Sequence, residues 1–248
     1  METIHHLEQN LRALRLPGIL ENLTARLRQA EENELGYAEF LSLVIQDEME
    51  QRNLNRFLKG VRAARFGREQ TFEGFNFKFN DAGLPQATLR DLATCRFVEL
   101  KENVLLAGPP GIGKTHIARA LGHEACRRKH SVLFSKTYSM LSDLIEETNP
   151  QKHMRKWKRY VGADVLIIDD FGFRKMNIRE AELFYEIMDE RIGNGVLIVT
   201  SNRPPEDWIG IFPDAVMGGA ILDRIASGAH KIIVQQAKSF RKEGSKTH

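Results

Sequence analysis

The chain has 248 residues, of which 42% are hydrophobic and 28% charged, and its formal net charge of +3 is ordinary for a globular protein with one good-sized domain and a smaller one. No apolar run approaches the roughly 20 residues that cross a bilayer, and the first residues lack the layout of a signal peptide, so we expect a cytoplasmic protein without membrane contact. The two cysteines, Cys95 and Cys126, are too few for a disulfide framework and stand in no metal-ligand pattern.

The first seventy residues predict a small helical domain, 1–70. Leucines recur at helical spacing before Pro17 and again after it, and a longer helical pattern covers 37–66. We expect this domain to contact DNA, a partner or another subunit. Basic residues of the third helix recur every three or four positions and share one face: Arg52, Arg56, Lys59 and Arg62. That face is a candidate contact for the DNA backbone, and the alternative is a solvated helix face.

An aromatic segment follows, in which Gly74, Gly83 and Pro85 disfavour regular structure. Its phenylalanines are Phe72, Phe75, Phe77 and Phe79. We interpret them as anchors against the next domain, because base-stacking sites usually interleave aromatic with basic residues. We therefore predict a linker and lead-in over 71–99 and a second domain over 100–248.

The second domain alternates short apolar runs with helical patterns. The runs predict strands at 103–108, 131–135, 163–170, 195–202 and 230–235. The helical patterns lie at 114–129, 137–147, 178–193 and 214–227. Each strand is apolar throughout, as expected of strands covered on both faces. The alternation predicts an α/β fold with a parallel five-stranded sheet flanked by helices and right-handed crossovers.

Residues 108–115, GPPGIGKT, have the P-loop pattern G-x-x-x-x-G-K-[ST] between a predicted strand and a predicted helix. Its glycines let backbone N–H groups surround phosphates, and the helix N-terminus favours negative charge. We predict that Lys114 reaches the β- and γ-phosphates of a nucleotide and that the Thr115 hydroxyl binds Mg²⁺. The predicted nucleotide contacts are Gly108, Pro109, Pro110, Gly111, Ile112, Gly113, Lys114, Thr115 and His116.

A second basic stretch covers 151–160, with five Lys or Arg and no acidic residue. Its candidate DNA contacts are Lys152, Arg155, Lys156, Lys158 and Arg159. A solvated helix face is again the alternative. We interpret Trp157 as a packing residue rather than as a wedge into DNA.

The third predicted strand ends in Asp169 and Asp170. A strand that ends in Asp after a P-loop is typical of the Walker B element, in which Asp169 reaches Mg²⁺ directly or through water. The cation offsets the repulsion between the two carboxylates. We predict that Asp170 orients or deprotonates the attacking water. The alternative is that Asp170 only caps the turn before Gly172.

Two further residues are candidates for catalysis. Asn202 ends the fourth strand, beside the phosphate site, and is predicted to hold the lytic water or sense the γ-phosphate, with Thr200 or Ser201 as further candidates. A turn-forming role is the alternative for Asn202. Arg224 either pairs with Asp223 or reaches the nucleotide of a neighbouring subunit as an arginine finger, which implies an oligomer.

Four motifs, in this order and spacing, resemble the AAA+ ATPases of the IstB group: GPPGIGKTHIARALG, VLIIDDFG, VTSNRPP and AILDRI. IstB proteins are transposition helpers of insertion sequences and are close in type to DnaC, the replicative helicase loader. The similarity extends over the N-terminal helices and the aromatic segment, and these parts favour the transposition helper. In this group an Asp pair stands where most AAA+ proteins have Asp-Glu.

The resemblance implies a AAA+ ATPase that binds and hydrolyses ATP with Mg²⁺ and forms a ring or spiral homo-oligomer on double-stranded DNA, largely independent of sequence. Its implied partner is a cognate transposase, for which it selects or prepares target DNA. A DnaC-like helicase loader is the alternative function, and a small-molecule kinase is another. The chain is too short for a separate helical lid, so a lid arginine is absent or replaced by Arg241.

Overall fold

The computed structural model describes residues 2–77 and 84–234. Phe79 and Gly83 of the aromatic segment, the end of the fifth predicted strand at Gln235, and Arg241 lie outside these residues. Contacts between Cα atoms divide the chain into two compact units, Met1–Lys59 and Gly60–His248. No helix among the described residues is long and apolar enough to span a membrane.

The first unit is helical, as predicted. It contains α1 (Glu2–Ala13), α2 (Pro17–Glu32) and most of α3 (Tyr37–Ala64). Polar groups join α2 to α3, because the buried Glu48 carboxylate accepts the Gly18 N–H at 2.8 Å and Arg26 pairs with Asp47 at 2.7 Å. The burial of these carboxylates is compensated by hydrogen bonds and ion pairs, as buried charge requires.

The division between the units falls inside α3, and the domain boundary near residue 70 stays a prediction from the sequence. The physical reason is packing in the second unit. Ala64 and Phe66 are buried, and the Phe66 ring stacks on His123 with 4.5 Å between ring centroids. The end of α3 therefore belongs to the second unit, although its sequence continues the helical pattern of the first.

The second unit confirms the predicted parallel sheet. Its strands are β1 (Val104–Ala107), β2 (Val132–Lys136), β3 (Val165–Phe171), β4 (Val196–Ser201) and β5 (His230–Ile233). They form a 5-stranded sheet in the order β2-β3-β4-β1-β5, and each neighbouring pair is parallel. The loops after β1, β3 and β4 meet at the carboxyl edge, where ligands bind in open sheets of this type.

Helices cover the sheet on both faces. The described helices of this unit are α4 (Gln86–Leu92), α5 (Arg96–Glu99), α6 (Lys114–Arg127), α7 (Thr137–Ile145), α8 (Pro150–Gly162), α9 (Ile178–Arg191), α10 (Ala215–Ala226) and a 3₁₀ helix (Pro205–Ile211). The sequence did not predict α4, α5 or the 3₁₀ helix, and it considered a helix at 151–160 only as a solvated face, because the apolar stripes of these helices are short or interrupted. Helix α8 begins with a side-chain cap, in which Asn149 accepts the Lys152 N–H.

Both cysteines are free and buried. Burial raises the pKa of the Cys95 thiol to about 11 and that of the Cys126 thiol to about 12. Thiols with such high pKa values hold little thiolate at neutral pH.

Candidate active site

The P-loop bends tightly between β1 and α6. Gly108 has φ of 149°, and a Cβ atom there would lie 2.5 Å from the Val234 carbonyl oxygen. Gly113 has φ of 96°, a left-handed conformation that L side chains rarely adopt. The loop therefore requires glycine at these two positions, and its backbone turns toward the N-terminus of α6.

Lys114 is the first residue of α6, and its side chain folds back over the loop. The ammonium group donates to the carbonyl oxygens of Gly108 at 2.7 Å and Pro109 at 2.8 Å, and to Asn202 Oδ1 at 2.8 Å. One buried cation thus joins the P-loop to the end of β4. Lys114 and Asn202, predicted from separate motifs, lie in direct contact.

Asp169 ends the regular part of β3 and is 2% exposed. Its Oδ1 atom accepts the Thr115 hydroxyl at 2.8 Å and the Thr200 hydroxyl at 2.6 Å. Its backbone carbonyl accepts the Thr137 hydroxyl at 3.1 Å. The two residues predicted to hold Mg²⁺, Thr115 and Asp169, therefore meet.

The donor set fits Mg²⁺. In the described part of the chain, no group of three or more His, Cys, Asp or Glu residues is arranged to hold a metal ion. The protein instead offers one carboxylate and one hydroxyl beside the P-loop, the hydroxyl of Thr115 and the carboxylate of Asp169. Mg²⁺ commonly binds to one or two such oxygens and completes its shell with water and phosphate oxygens.

Asp170 has a left-handed backbone, with φ of 56°. Its carboxylate is 38% exposed and pairs with the ammonium group of Lys136, the last residue of β2, at 3.0 Å. The turn that follows is closed by the backbone, because the Phe173 N–H donates to the Asp170 carbonyl at 3.3 Å. The carboxylate is thus directed to the cavity, while the carbonyl of the same residue forms the turn.

Residues of the predicted nucleotide site line a cavity of about 750 Å³. The sequence-predicted residues that line it are Pro110, Gly111, Ile112, Gly113, Lys114, Thr115, His116, Asp169, Asp170 and Asn202. Gly108 and Pro109 contribute through their carbonyl contacts with Lys114. Most of the predicted nucleotide site is therefore assembled in one place.

The aromatic segment also lines this cavity, which the sequence did not predict. A Cβ atom on Gly113 would lie 2.7 Å from the Phe75 ring, and the His116 ring meets the same phenylalanine edge-on at 5.1 Å. The carbonyl of Thr71 lies 2.8 Å from His116 Nε2. The phenylalanines were predicted as anchors, and Phe75 anchors on the P-loop itself.

Other residues missed from the sequence are Gln70, Arg119 and Lys136. Arg119 donates to Gln70 Oε1 at 2.7 Å, and its guanidinium lies 4.5 Å from the centroid of the Phe134 ring. All three missed residues line the cavity. Lys136 was open to prediction, because it ends a strand at the same edge of the sheet as Asn202. Gln70 and Arg119 carried no comparable signal.

Thr200 and Ser201 do not line the cavity, unlike Asn202. The Thr200 hydroxyl binds Asp169, and the Ser201 hydroxyl donates to the Phe171 carbonyl at 2.7 Å. Both hydroxyls are therefore hydrogen-bonded to β3. The sequence had suggested them as further candidates for a contact with the lytic water or the γ-phosphate.

Arg224 lies on α10 and contacts α9. Its guanidinium pairs with Asp189 at 3.0 Å and donates to the Tyr185 hydroxyl at 3.2 Å. The sequence had offered Asp223 as the ion-pair partner, but Asp189 takes that place because it lies on the neighbouring helix. Arg224 does not line the cavity of its own chain.

The first group of predicted DNA contacts lies on α3. Arg56, Lys59 and Arg62 are exposed there. Arg52 is also exposed but pairs with Glu48 at 2.6 Å. The division between the two compact units falls directly after Lys59.

The second group lies on α8, where four of the five predicted residues are exposed: Lys152, Arg155, Lys158 and Arg159. Lys156 is the exception. Its ammonium group pairs with Asp143 and Glu147, each at 2.9 Å, and these hydrogen bonds raise the pKa of Lys156. Trp157 packs on the core and donates to Glu190, which fits its predicted packing role.

Known proteins resemble this chain along most of its length. The family described as IstB-like ATP binding protein matches residues 9–247. A putative ATP-binding protein in an insertion sequence of Mycobacterium tuberculosis is 41% identical over 92% of this chain and 91% of its own length. The insertion sequence IS21 putative ATP-binding protein of Pseudomonas aeruginosa is 36% identical over 90% of this chain and 83% of its own length. The crystal structure of DnaI shares the fold, with a TM-score of 0.58 at 22% identity over 67% of this chain and 91% of that one.

Proposed function

The chain belongs to the family of IstB-like ATP binding proteins, and on this premise we propose that it is the ATP-hydrolysing helper of a transposase. It is an ATPase with the AAA+ fold. In the proposed role it assembles on double-stranded DNA in the cytoplasm, selects or prepares the target and stimulates insertion by the transposase. The ATPase mechanism rests on one observation. A single cavity brings together the side chains that the mechanism needs, which are Lys114, Thr115, Asp169, Asp170 and Asn202.

The P-loop binds the phosphates of ATP through its N–H groups and the N-terminus of α6. Lys114 is already fixed at the loop by carbonyl oxygens, so it reaches the terminal phosphates with little loss of side-chain freedom. Thr115 and Asp169 would hold Mg²⁺, which stabilises the charge that develops on the transferred phosphoryl group.

Asp170 acts as the general base. It accepts a proton from the attacking water as the water oxygen bonds to the γ-phosphorus and the bond to the β-phosphate oxygen breaks, which yields ADP and phosphate. Asn202 lies between Lys114 and the end of β4 and is placed to hold this water or the γ-phosphate. Lys136 holds the Asp170 carboxylate at the cavity wall.

DNA binding is assigned to the exposed cations of α3 and α8. These side chains contact the phosphate backbone without reading bases, so affinity falls steeply with salt. Lys156 is excluded from this role, because Asp143 and Glu147 neutralise it. It offers a matched control on the same helix as Arg155 and Arg159.

The DNA assignment is tested with two variants of α8. Arg155→Ala with Arg159→Ala is expected to weaken binding to duplex DNA and to reduce the slope of log affinity against log salt by about two, one for each lost phosphate contact. Lys156→Ala is expected to leave that slope unchanged. An unchanged slope in the double variant would remove α8 from the DNA interface.

Oligomer formation through Arg224 is part of the proposal. In its own chain the guanidinium binds Asp189 and Tyr185, so an arginine finger would have to exchange these partners for the nucleotide of a neighbouring subunit. Asp189→Ala frees Arg224 without removing it. We expect Arg224→Ala to abolish DNA-stimulated turnover while Asp189→Ala retains it.

The helper function is tested by insertion assays with the transposase of the same genetic element. We expect this protein with ATP to raise the number of insertions into target DNA, and Lys114→Ala to abolish the increase. Stimulated loading of a replicative helicase, without an effect on insertion, would identify a helicase loader instead. ATP turnover that requires a small-molecule acceptor and ignores DNA would identify a kinase.

A further inference from the structure

The Asp pair presents a geometric problem. Successive side chains of a regular strand point to opposite faces of the sheet. Asp169 and Asp170 are successive residues of β3, yet both line the same cavity. The strand must therefore depart from regular geometry between them.

The departure is a β-bulge against β4. Ile168 pairs with Val199 and Phe171 pairs with Ser201, so Asp169 and Asp170 together stand opposite a single residue. That residue is Thr200. The left-handed backbone of Asp170, with φ of 56°, accommodates the extra residue and turns its carboxylate toward the cavity.

Thr200 is 1% exposed, and its hydroxyl contacts both members of the pair. It donates to Asp169 Oδ1 at 2.6 Å and accepts the backbone N–H of Asp170 at 3.1 Å. One buried oxygen thus sets the direction of the first carboxylate and holds the backbone that directs the second.

Neighbouring hydroxyls complete the bulge. Ser201 donates to the Phe171 carbonyl at 2.7 Å and accepts the Arg203 N–H at 3.1 Å. Thr137, at the start of α7, donates to the Asp169 carbonyl. The bulge interrupts the regular backbone hydrogen bonding between β3 and β4. Hydroxyl side chains therefore bond backbone groups near the bulge, because buried backbone groups require hydrogen-bond partners.

We propose that Thr200 is a positioning residue for ATP hydrolysis, because its hydroxyl maintains the bulge that brings both carboxylates to the nucleotide. The inference rests on the proposed role of Asp170 as the general base. Without the hydroxyl, the Asp170 N–H loses its buried acceptor and the Asp169 carboxylate loses one of its two donors. β3 then relaxes toward regular pairing, which directs Asp170 away from the cavity.

The test compares Thr200→Val, which removes the hydroxyl at nearly constant volume, with Thr200→Ser, which keeps it. We expect Thr200→Val to lower kcat about 100-fold, the typical cost of a small misplacement of a reacting group. Thr200→Ser is expected to stay within about threefold of the original chain. The dissociation constant for a non-hydrolysable ATP analogue is expected to change less than about threefold in both, because the P-loop is unchanged and the Asp169 carboxylate keeps the Thr115 hydroxyl as a donor.

A double-mutant cycle with Asp170→Asn separates positioning from general stability. If Thr200 acts through Asp170, Thr200→Val lowers kcat by less than about threefold once Asp170→Asn is present. An equal loss in both backgrounds would overturn the inference, and so would full turnover in Thr200→Val or failure of Thr200→Ser to restore it. Thr200→Ala replaces Thr200→Val in the same cycle if the valine variant does not fold.

The outcome is distinguishable from failure of the proposed function. If the unmodified protein hydrolyses no ATP under any condition with DNA and Mg²⁺, the proposed ATPase mechanism fails before Thr200 is considered. If the unmodified protein turns over ATP and Asp170→Asn does not impair it, the general base lies elsewhere and the inference on Thr200 falls with that assignment.

Discussion

The two ends of the nucleotide cavity are built differently. The phosphate end, formed by the P-loop, Lys136, Asp169, Asp170 and Asn202, consists of backbone groups and polar or charged side chains. The aromatic end includes Gln70 and Phe75, which contact Arg119 and His116 of α6. Phosphate chemistry restricts which residues serve at which spacing, whereas apolar packing accepts many side chains of suitable size.

This contrast predicts separate kinetic effects. Changes at the phosphate end should act on the chemical step and change kcat. Changes at the aromatic end should weaken binding of the substrate and its transition state alike, which raises KM and leaves kcat unchanged. Variants at each end of the cavity therefore test whether the phosphate end controls kcat and the aromatic end controls KM.

The largest effect is expected for Asp170→Asn. The amide cannot accept a proton from water, so we expect kcat for ATP to fall by about 10²- to 10⁴-fold. Binding of a non-hydrolysable ATP analogue and assembly on DNA should persist, as measured by fluorescence titration and light scattering.

Asp169→Asn provides the contrast within the same pair. It is expected to weaken Mg²⁺-dependent nucleotide binding as well as turnover, because Asp169 contacts the Thr115 hydroxyl at the predicted cation site. If Asp170→Asn retains full turnover, Asp170 is structural and Asn202 becomes the next candidate for orienting the water.

The same division explains how much of the site the sequence could predict. The P-loop, Asp169 and Asn202 were predicted because each belongs to a short motif at the end of an apolar strand, and the parallel sheet then brings those ends together. The alternation of strands and helices likewise predicted the sheet, since strands buried on both faces are apolar throughout.

Residues outside such motifs were not predicted. The role of Phe75 depends on how the aromatic segment runs along α6, which no local pattern encodes. The bulge at Asp170 depends on pairing between β3 and β4, and periodicity within one strand cannot reveal a register shift with another. Lys156 matched a basic run, but its two acidic partners lie on and after α7, outside that run.

An intermediate effect is expected for Phe75→Ala at the aromatic end. Loss of the ring that covers Gly113 and meets His116 should raise KM for ATP by about 2- to 12-fold, the value of an aromatic contact. Steady-state kinetics at saturating ATP should give an unchanged kcat.

Phe72→Ala is the matched control for Phe75→Ala. Phe72 belongs to the same aromatic cluster, where it stacks on Phe77 with 6.2 Å between centroids, but it does not line the cavity. Its removal should therefore affect KM less than removal of Phe75. A fall in kcat for Phe75→Ala would contradict the division, because it would connect the aromatic end to the chemical step.

The smallest effect is expected for Lys136→Met, because Lys136 contacts the proposed catalytic residues through an exposed ion pair with Asp170. The Lys136 and Asp170 side chains are 59% and 38% exposed, and exposed ion pairs contribute about 0–1 kcal/mol. Breaking the pair frees the Asp170 carboxylate to meet water, so we expect basal ATP turnover to rise by up to about fivefold. Lys136→Arg should keep the original rate because it keeps the charge. A fall of more than about tenfold in Lys136→Met, with a parallel loss of nucleotide affinity, would instead mean that Lys136 binds the phosphates itself.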